Sequence, residues 1–124
     1  MIDLYSWQTS NGRKVSIALE EMELPYNVHP INIGADDQFT DAFTALNPNQ
    51  KIPAITDSDG PDGAPITVFE SGAILLYLAR KCGRFLPRDA RGEIETLQWL
   101  MLQMGGIGPI FGQVHHFKRA AKEP

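Results

Sequence analysis

The chain opens on an apolar, aromatic run, Ile2–Ser6, which predicts a short buried strand. A polar loop follows from Trp7 to Gly12. Between Arg13 and Met22 the apolar positions Val15, Ile17, Ala18, Leu19 and Met22 recur at helical spacing. Ser10 or Asn11 is the expected cap of this helix, and Leu24-Pro25 its end. Tyr26–Ile33 reads as a second apolar strand, completing a strand–helix–strand unit. Phe39–Leu46 is expected to form a short helix closed by Asn47-Pro48, and Ile52–Asp57 a third strand that takes in Pro53. The Asp-, Gly- and Pro-rich stretch Asp57–Pro65 predicts a turn before a fourth strand, Ile66–Phe69. Glu70-Ser71-Gly72 then leads into Ala73, Ile74, Leu75, Leu76, Leu78 and Ala79, a helix buried on most sides, with Gly83 placed to cap its end.

After Phe85-Leu86-Pro87 the pattern changes. Glu93–Met104 is amphipathic, with Ile94, Leu97, Leu100, Met101 and Met104 on one side. Gly105-Gly106-Ile107-Gly108-Pro109 is expected to interrupt or kink this helix, and Gln113–Lys122 to resume it. The order predicts an α/β fold, a βαβ-α-ββα unit over residues 1–84. Residues 88–124 read as the beginning of an all-α domain, with the boundary near Arg84–Arg88.

The 124 residues are 43% hydrophobic and 21% charged, the make-up of a soluble globular protein. Eleven basic residues against 15 acidic ones give a formal charge of −4, which argues against a nucleic-acid partner. No apolar run approaches the roughly 20 residues of a membrane span, so no membrane association is expected. The N-terminus has neither the basic segment nor the long apolar stretch of a signal peptide. Cys82 is the single cysteine and cannot form an internal disulfide. Nothing has zinc-ligand spacing, so no metal is expected, and a cytoplasmic location fits.

Three short clusters carry candidate chemistry. Thr9-Ser10-Asn11-Gly12 lies between a strand and the start of a helix, where hydroxyl and amide donors stabilise a thiolate; the plainer alternative is a helix cap with a turn glycine. Gln50-Lys51-Ile52-Pro53-Ala54 fits a cis proline that leaves the Ile52 main chain open to an extended peptide, with Lys51 beside a carboxylate. The alternative is a trans proline at a strand start. Phe69-Glu70-Ser71-Gly72 precedes a helix, whose amino end binds a carboxylate, while Glu70 pairs with an ammonium. The alternative is a cap with a nearby acid. Cys82 and Tyr5 are read as core residues and His29 as a structural one. The adjacent His115 and His116 point in different directions and make a poor metal pair.

These clusters resemble the glutathione transferase family. The resemblance lies in Thr9-Ser10-Asn11-Gly12, in Asn47-Pro48-Asn49-Gln50-Lys51-Ile52-Pro53-Ala54 and in Phe69-Glu70-Ser71-Gly72-Ala73-Ile74-Leu75-Leu76-Tyr77-Leu78. The run Gly112-Gln113-Val114-His115-His116-Phe117 is similar to the nu class. The resemblance spans essentially the whole chain. It implies a thioredoxin-like domain followed by an all-helical one, a cis Pro53 and a homodimer. It also implies glutathione or oxidised glutathione as ligand, with an electrophile or disulfide as second substrate. Thr9 and Asn11 would then face the thiol as catalytic residues. Ile52 and Pro53 would meet the peptide middle, Glu70 and Ser71 the γ-glutamyl zwitterion, and Lys51 and Gln38 the glycyl end. The expected activity is glutathione-dependent transfer or disulfide-bond reduction. The alternatives are a non-catalytic glutathione-binding or regulatory module, and a scaffold with no ligand. Family chains run to roughly 200 residues or more, the length of two domains, so a truncated helical domain is expected here.

Overall fold

A computed structural model of the chain describes residues 1–120. Its contacts divide it into two units, residues 1–85 and 86–124. In the first, four strands, β1 (Ile2–Ser6), β2 (Tyr26–Pro30), β3 (Ala54–Asp57) and β4 (Ile66–Phe69), form one mixed sheet in the order β2-β1-β3-β4. β1 runs parallel to β2, whereas β3 is antiparallel to both β1 and β4. Helices α1 (Ser10–Glu21), α2 (Asp41–Leu46) and α3 (Ser71–Cys82) complete the unit. This is the thioredoxin-like βαβ-α-ββα order, followed by helix.

The period-2 pattern of β1 explains its packing. Ile2, Leu4 and Ser6 are buried, while Asp3 and Tyr5 point to the other face. Register sets Leu4 opposite Ile55 and Ile55 opposite Val68, so one apolar face continues across the sheet. Val15 and Leu19 of α1 and Ile74 and Leu78 of α3 are fully buried and supply the remainder of the core. Each such side chain contributes about 1.5–3 kcal/mol by leaving water.

Several boundaries differ from the sequence expectation. α1 starts at Ser10, not Arg13, because Thr9 rather than Ser10 or Asn11 is its cap. β2 ends at Pro30, and it is a largely exposed edge strand. Its outer-face His29 stacks on Tyr5, ring centroids 4.7 Å apart, and bonds Asp3 at 2.8 Å, so Tyr5 is a sheet-face residue rather than a core one. The segment before α2 is a 3-10 turn, Asp37–Phe39. β3 starts at Ala54, two residues later than expected, because ladder pairing begins there; the Ile52-Pro53 peptide before it is cis. Gly83 ends α3 in the left-handed region, φ 68°, as expected. Cys82 is half-buried.

One buried charge ties β3 to α3. Asp57 is fully buried and accepts from the Tyr77 hydroxyl at 2.6 Å, from the Asp59 amide at 3.0 Å and from the Lys81 ammonium at 3.0 Å. Burial raises its pKa, but the Tyr77, Asp59 and Lys81 bonds outweigh it and hold the carboxyl below the usual 3.8. Burial, and then the same contact with Asp57, push the Tyr77 hydroxyl far above its ordinary range.

In the second unit α4 (Ala90–Leu102) is capped by Asp89, whose carboxylate accepts from the Gly92 amide at 2.8 Å. The glycine run does not break the helix. Gln103–Ile107 forms a π-helical turn, and the chain continues directly into α5 (Gly108–His115) and a second π turn, His116–Ala120. An inserted π turn absorbs the irregularity while the chain stays helical, and Pro109 is tolerated in the first turn of α5. The expected helix end at Lys122 and the tail beyond Ala120 lie outside the described residues. α4 and α5 contain no buried residue; Trp99 (67%), Phe111 (70%) and Phe117 (60%) are exposed.

Candidate functional site

Sheet direction gathers the clusters. β1, β2 and β4 all run the same way, so their carboxyl ends share one end of the sheet, and antiparallel β3 begins there. From that end emerge the Trp7–Thr9 loop, the segment bearing Gln38, the Lys51–Pro53 segment and the Glu70–Ser71 step. Ala54 sits opposite both Tyr5 and Phe69, which places Pro53 between the loop after β1 and the start of α3.

Thr9 caps α1 in extended geometry, and its Oγ1 accepts from the Gly12 amide at 3.1 Å. A hydroxyl has one hydrogen and two lone pairs. Capping consumes a lone pair, so the Thr9 hydrogen remains to donate outward. Gly12 is required by crowding: a Cβ there would lie 2.3 Å from Ser6 Oγ and 2.5 Å from Trp7 O. Asn11 is exposed, and its Oδ1 accepts from Lys14 Nζ at 2.9 Å, leaving the amide hydrogens to face elsewhere. The first turn of α1 therefore carries a hydroxyl donor, an amide donor and the positive end of the helix dipole.

Lys14 also reaches Ser71 Oγ, at 3.5 Å, and so joins the first cluster to the third. Burial pushes the Lys14 ammonium pKa down, while nearby Glu70 pushes it up. Ser71 is buried at the first turn of α3, whose amino end presents main-chain amides. Glu70 is exposed and adopts φ 71°, ψ 120° with no capping bond from its side chain. Such a backbone costs about 1–3 kcal/mol in a non-glycine residue and concentrates at ligand-binding positions.

The middle cluster is held by Asn47, which is buried. Its Nδ2 donates to Lys51 O at 2.7 Å, and its Oδ1 accepts from the Asn49 amide at 2.9 Å. The loop 47–51 is thereby fixed, with Gln50 at φ 55° and its Nε2 bonded to Thr44 Oγ1. The Ile52 main chain lies outside the strand ladder, which starts at Ala54. Pro53 is buried and Lys51 is exposed. Gln38 is half-buried, and its Oε1 has no hydrogen-bond partner among the described residues. The structure places both Gln38 and Lys51 at this end of the sheet, and neither side chain bonds another candidate residue among those described.

Residues 10–81 match the family model for the glutathione S-transferase N-terminal domain. The chain belongs to the glutathione S-transferase family. It is 51% identical to the disulfide-bond oxidoreductase YfcG of Escherichia coli, over 99% of this chain and 58% of that one. It is 45% identical to the disulfide-bond oxidoreductase YghU of the same organism, over 94% of this chain and 43% of that one. A glutathione transferase family member from Pseudomonas fluorescens, crystallised with two glutathione bound, superposes with a TM-score of 0.95 at 54% identity, over 97% of this chain and 53% of that one. A glutathione transferase from Pseudomonas putida, with one glutathione disulfide bound per subunit, gives 0.94 at 54% identity, over 97% and 52%. The chain thus spans about half the length of the relatives it matches.

Two residues of this glutathione S-transferase chain were not singled out from sequence. Lys14 reads as an ordinary helix lysine, and its one signal was the i, i+3 spacing from Asn11. Asn47 reads as a helix stop, and its role as the clamp of the Lys51 carbonyl depends on how the loop folds back. Among the described residues no group of His, Cys, Asp or Glu is arranged to hold a metal, and no helix is long and apolar enough to cross a membrane.

Proposed function

We propose that this chain binds glutathione at the carboxyl end of its sheet and uses the bound thiolate to reduce disulfides. The observation that carries this reading is the donor pair at the amino end of α1. The Thr9 hydroxyl keeps its hydrogen because it caps with a lone pair, and Asn11 keeps its amide hydrogens because Lys14 holds its oxygen. The relatives crystallised with glutathione or its disulfide support the ligand, and the two oxidoreductases support the reaction class.

In this reading Thr9 and Asn11 donate to the glutathione sulfur, and charge-assisted bonds lower its pKa. The Ile52 main chain and Pro53 meet the peptide middle. Ser71 and the α3 amino end take the γ-glutamyl carboxylate, and Glu70 its ammonium. Lys51 and Gln38 serve the glycyl end. The thiolate attacks one sulfur of a substrate disulfide, forming a mixed disulfide and releasing the other sulfur as thiolate. A second glutathione thiolate attacks the glutathionyl sulfur, giving glutathione disulfide and the second substrate thiolate. Two glutathiones are oxidised for each disulfide reduced.

Calorimetric titration of the 124-residue chain with glutathione and its disulfide tests the site. Binding is expected, and Ser71→Ala should weaken it at least tenfold, about the loss of one hydrogen bond to a charged group. A folded chain that binds neither form would refute the reading. The exposed Trp99, Phe111 and Phe117 support a homodimeric or partner-bound state, which light scattering reads directly.

A further inference from the structure

Lys14 bonds residues from two of the three clusters. Its ammonium lies 2.9 Å from Asn11 Oδ1 on its own helix and 3.5 Å from Ser71 Oγ on α3. Glu70, the neighbouring acid, acts on it electrostatically. An ammonium has three donors and no acceptor. It can therefore hold only the oxygen of the Asn11 carboxamide, never its nitrogen. That constraint removes the two-fold ambiguity of an exposed asparagine: the oxygen faces Lys14, and both amide hydrogens face away.

We infer that Lys14 is a positioning residue for thiol activation, fixing the Asn11 carboxamide with its donors outward and tying the amino ends of α1 and α3 together. The inference rests on the proposed glutathione site. Without the lysine the Asn11 oxygen loses this partner, and a carboxamide that turns presents its oxygen to the sulfur. An oxygen lone pair repels a thiolate and favours the neutral thiol. A lysine that only supports the fold would change stability and leave the bound thiol alone.

The test is the ultraviolet thiolate absorbance of glutathione bound to the full chain, titrated against pH. Wild type is compared with Lys14→Met, which keeps the stem and removes the charge, and with Lys14→Arg, which keeps a donor-only cation. Lys14→Gln is the second neutral variant if methionine impairs folding. In Lys14→Met the titration midpoint should rise by about one pH unit, a tenfold loss of thiolate at fixed pH. Lys14→Arg should stay near wild type. A Lys14→Met midpoint equal to that of wild type would overturn this inference and leave the glutathione site standing. No bound-thiolate signal in wild type would overturn both.

Discussion

Thr9→Val separates the two tasks assigned to one hydroxyl. Valine keeps the branched shape and removes the oxygen. The first loss is the cap: Oγ1 no longer accepts from the Gly12 amide, now at 3.1 Å. Removing such a cap costs about 1 kcal/mol. Unfolding entropy of about 2.1 cal/mol/K per residue gives about 0.26 kcal/mol/K for a chain of 124 residues. Tm should therefore fall by about 4 °C. The second loss is the hydrogen that the proposed site donates to sulfur. One charge-assisted bond to a thiolate corresponds to a shift of about one pKa unit, or about 1.4 kcal/mol. The bound thiol should titrate about one unit higher, and turnover with a small disulfide at neutral pH should drop about tenfold, with a smaller change in glutathione affinity. Thr9→Ser retains both the lone pair and the hydrogen and should keep both properties. The assays are calorimetric unfolding, the thiolate titration and steady-state kinetics. If Thr9→Val loses the 4 °C but keeps the wild-type titration and turnover, the hydroxyl is a cap alone and the donor argument fails.

Tyr77→Phe leaves the buried Asp57 carboxylate without its 2.6 Å partner and should cost about 1.5–3 kcal/mol at pH 7 in urea unfolding. The folded pKa of Asp57 lies below 3.8, so its ionised form stabilises the fold above that pH, and the contribution disappears as pH falls through the folded pKa. The difference between the variants should therefore shrink below about pH 4, and a constant difference would show that Asp57 is not the partner that matters. Gly12→Ala places a Cβ against Ser6 Oγ and the Trp7 carbonyl, so the start of α1 must shift. It should lose about 1–3 kcal/mol in stability and most glutathione affinity, read by thermal unfolding and calorimetry.

The order of elements was legible along the chain because each one follows from local patterning. Alternation in Ile2–Ser6, helical spacing in Val15–Leu19 and the glycine stop at Gly83 need no tertiary partner to be read. The family was legible from short motifs, since Thr9–Gly12, Lys51–Pro53 and Glu70–Ser71 keep their chemistry at recognisable spacing. The interruption expected at Gly105–Pro109 takes the form of a π turn, because glycine and proline weaken a helix without forbidding it and the chain stays helical through them.

Strand direction, by contrast, is a pairing property. Only the sheet, with β1, β2 and β4 aligned and β3 reversed, brings residues 9, 38, 52 and 71 to one end. The cap of α1 is ambiguous along the chain because Thr9, Ser10 and Asn11 are all competent caps, and in the fold it is the Thr9 side chain that accepts from the Gly12 amide. Asn47 and Lys14 acquire their roles through atoms that folding brings near them: the Lys51 carbonyl in one case, Ser71 on another helix in the other. Residue type and spacing are local and are written in the sequence. Which donor meets which acceptor across elements depends on the folded backbone, and only the tertiary structure decided it.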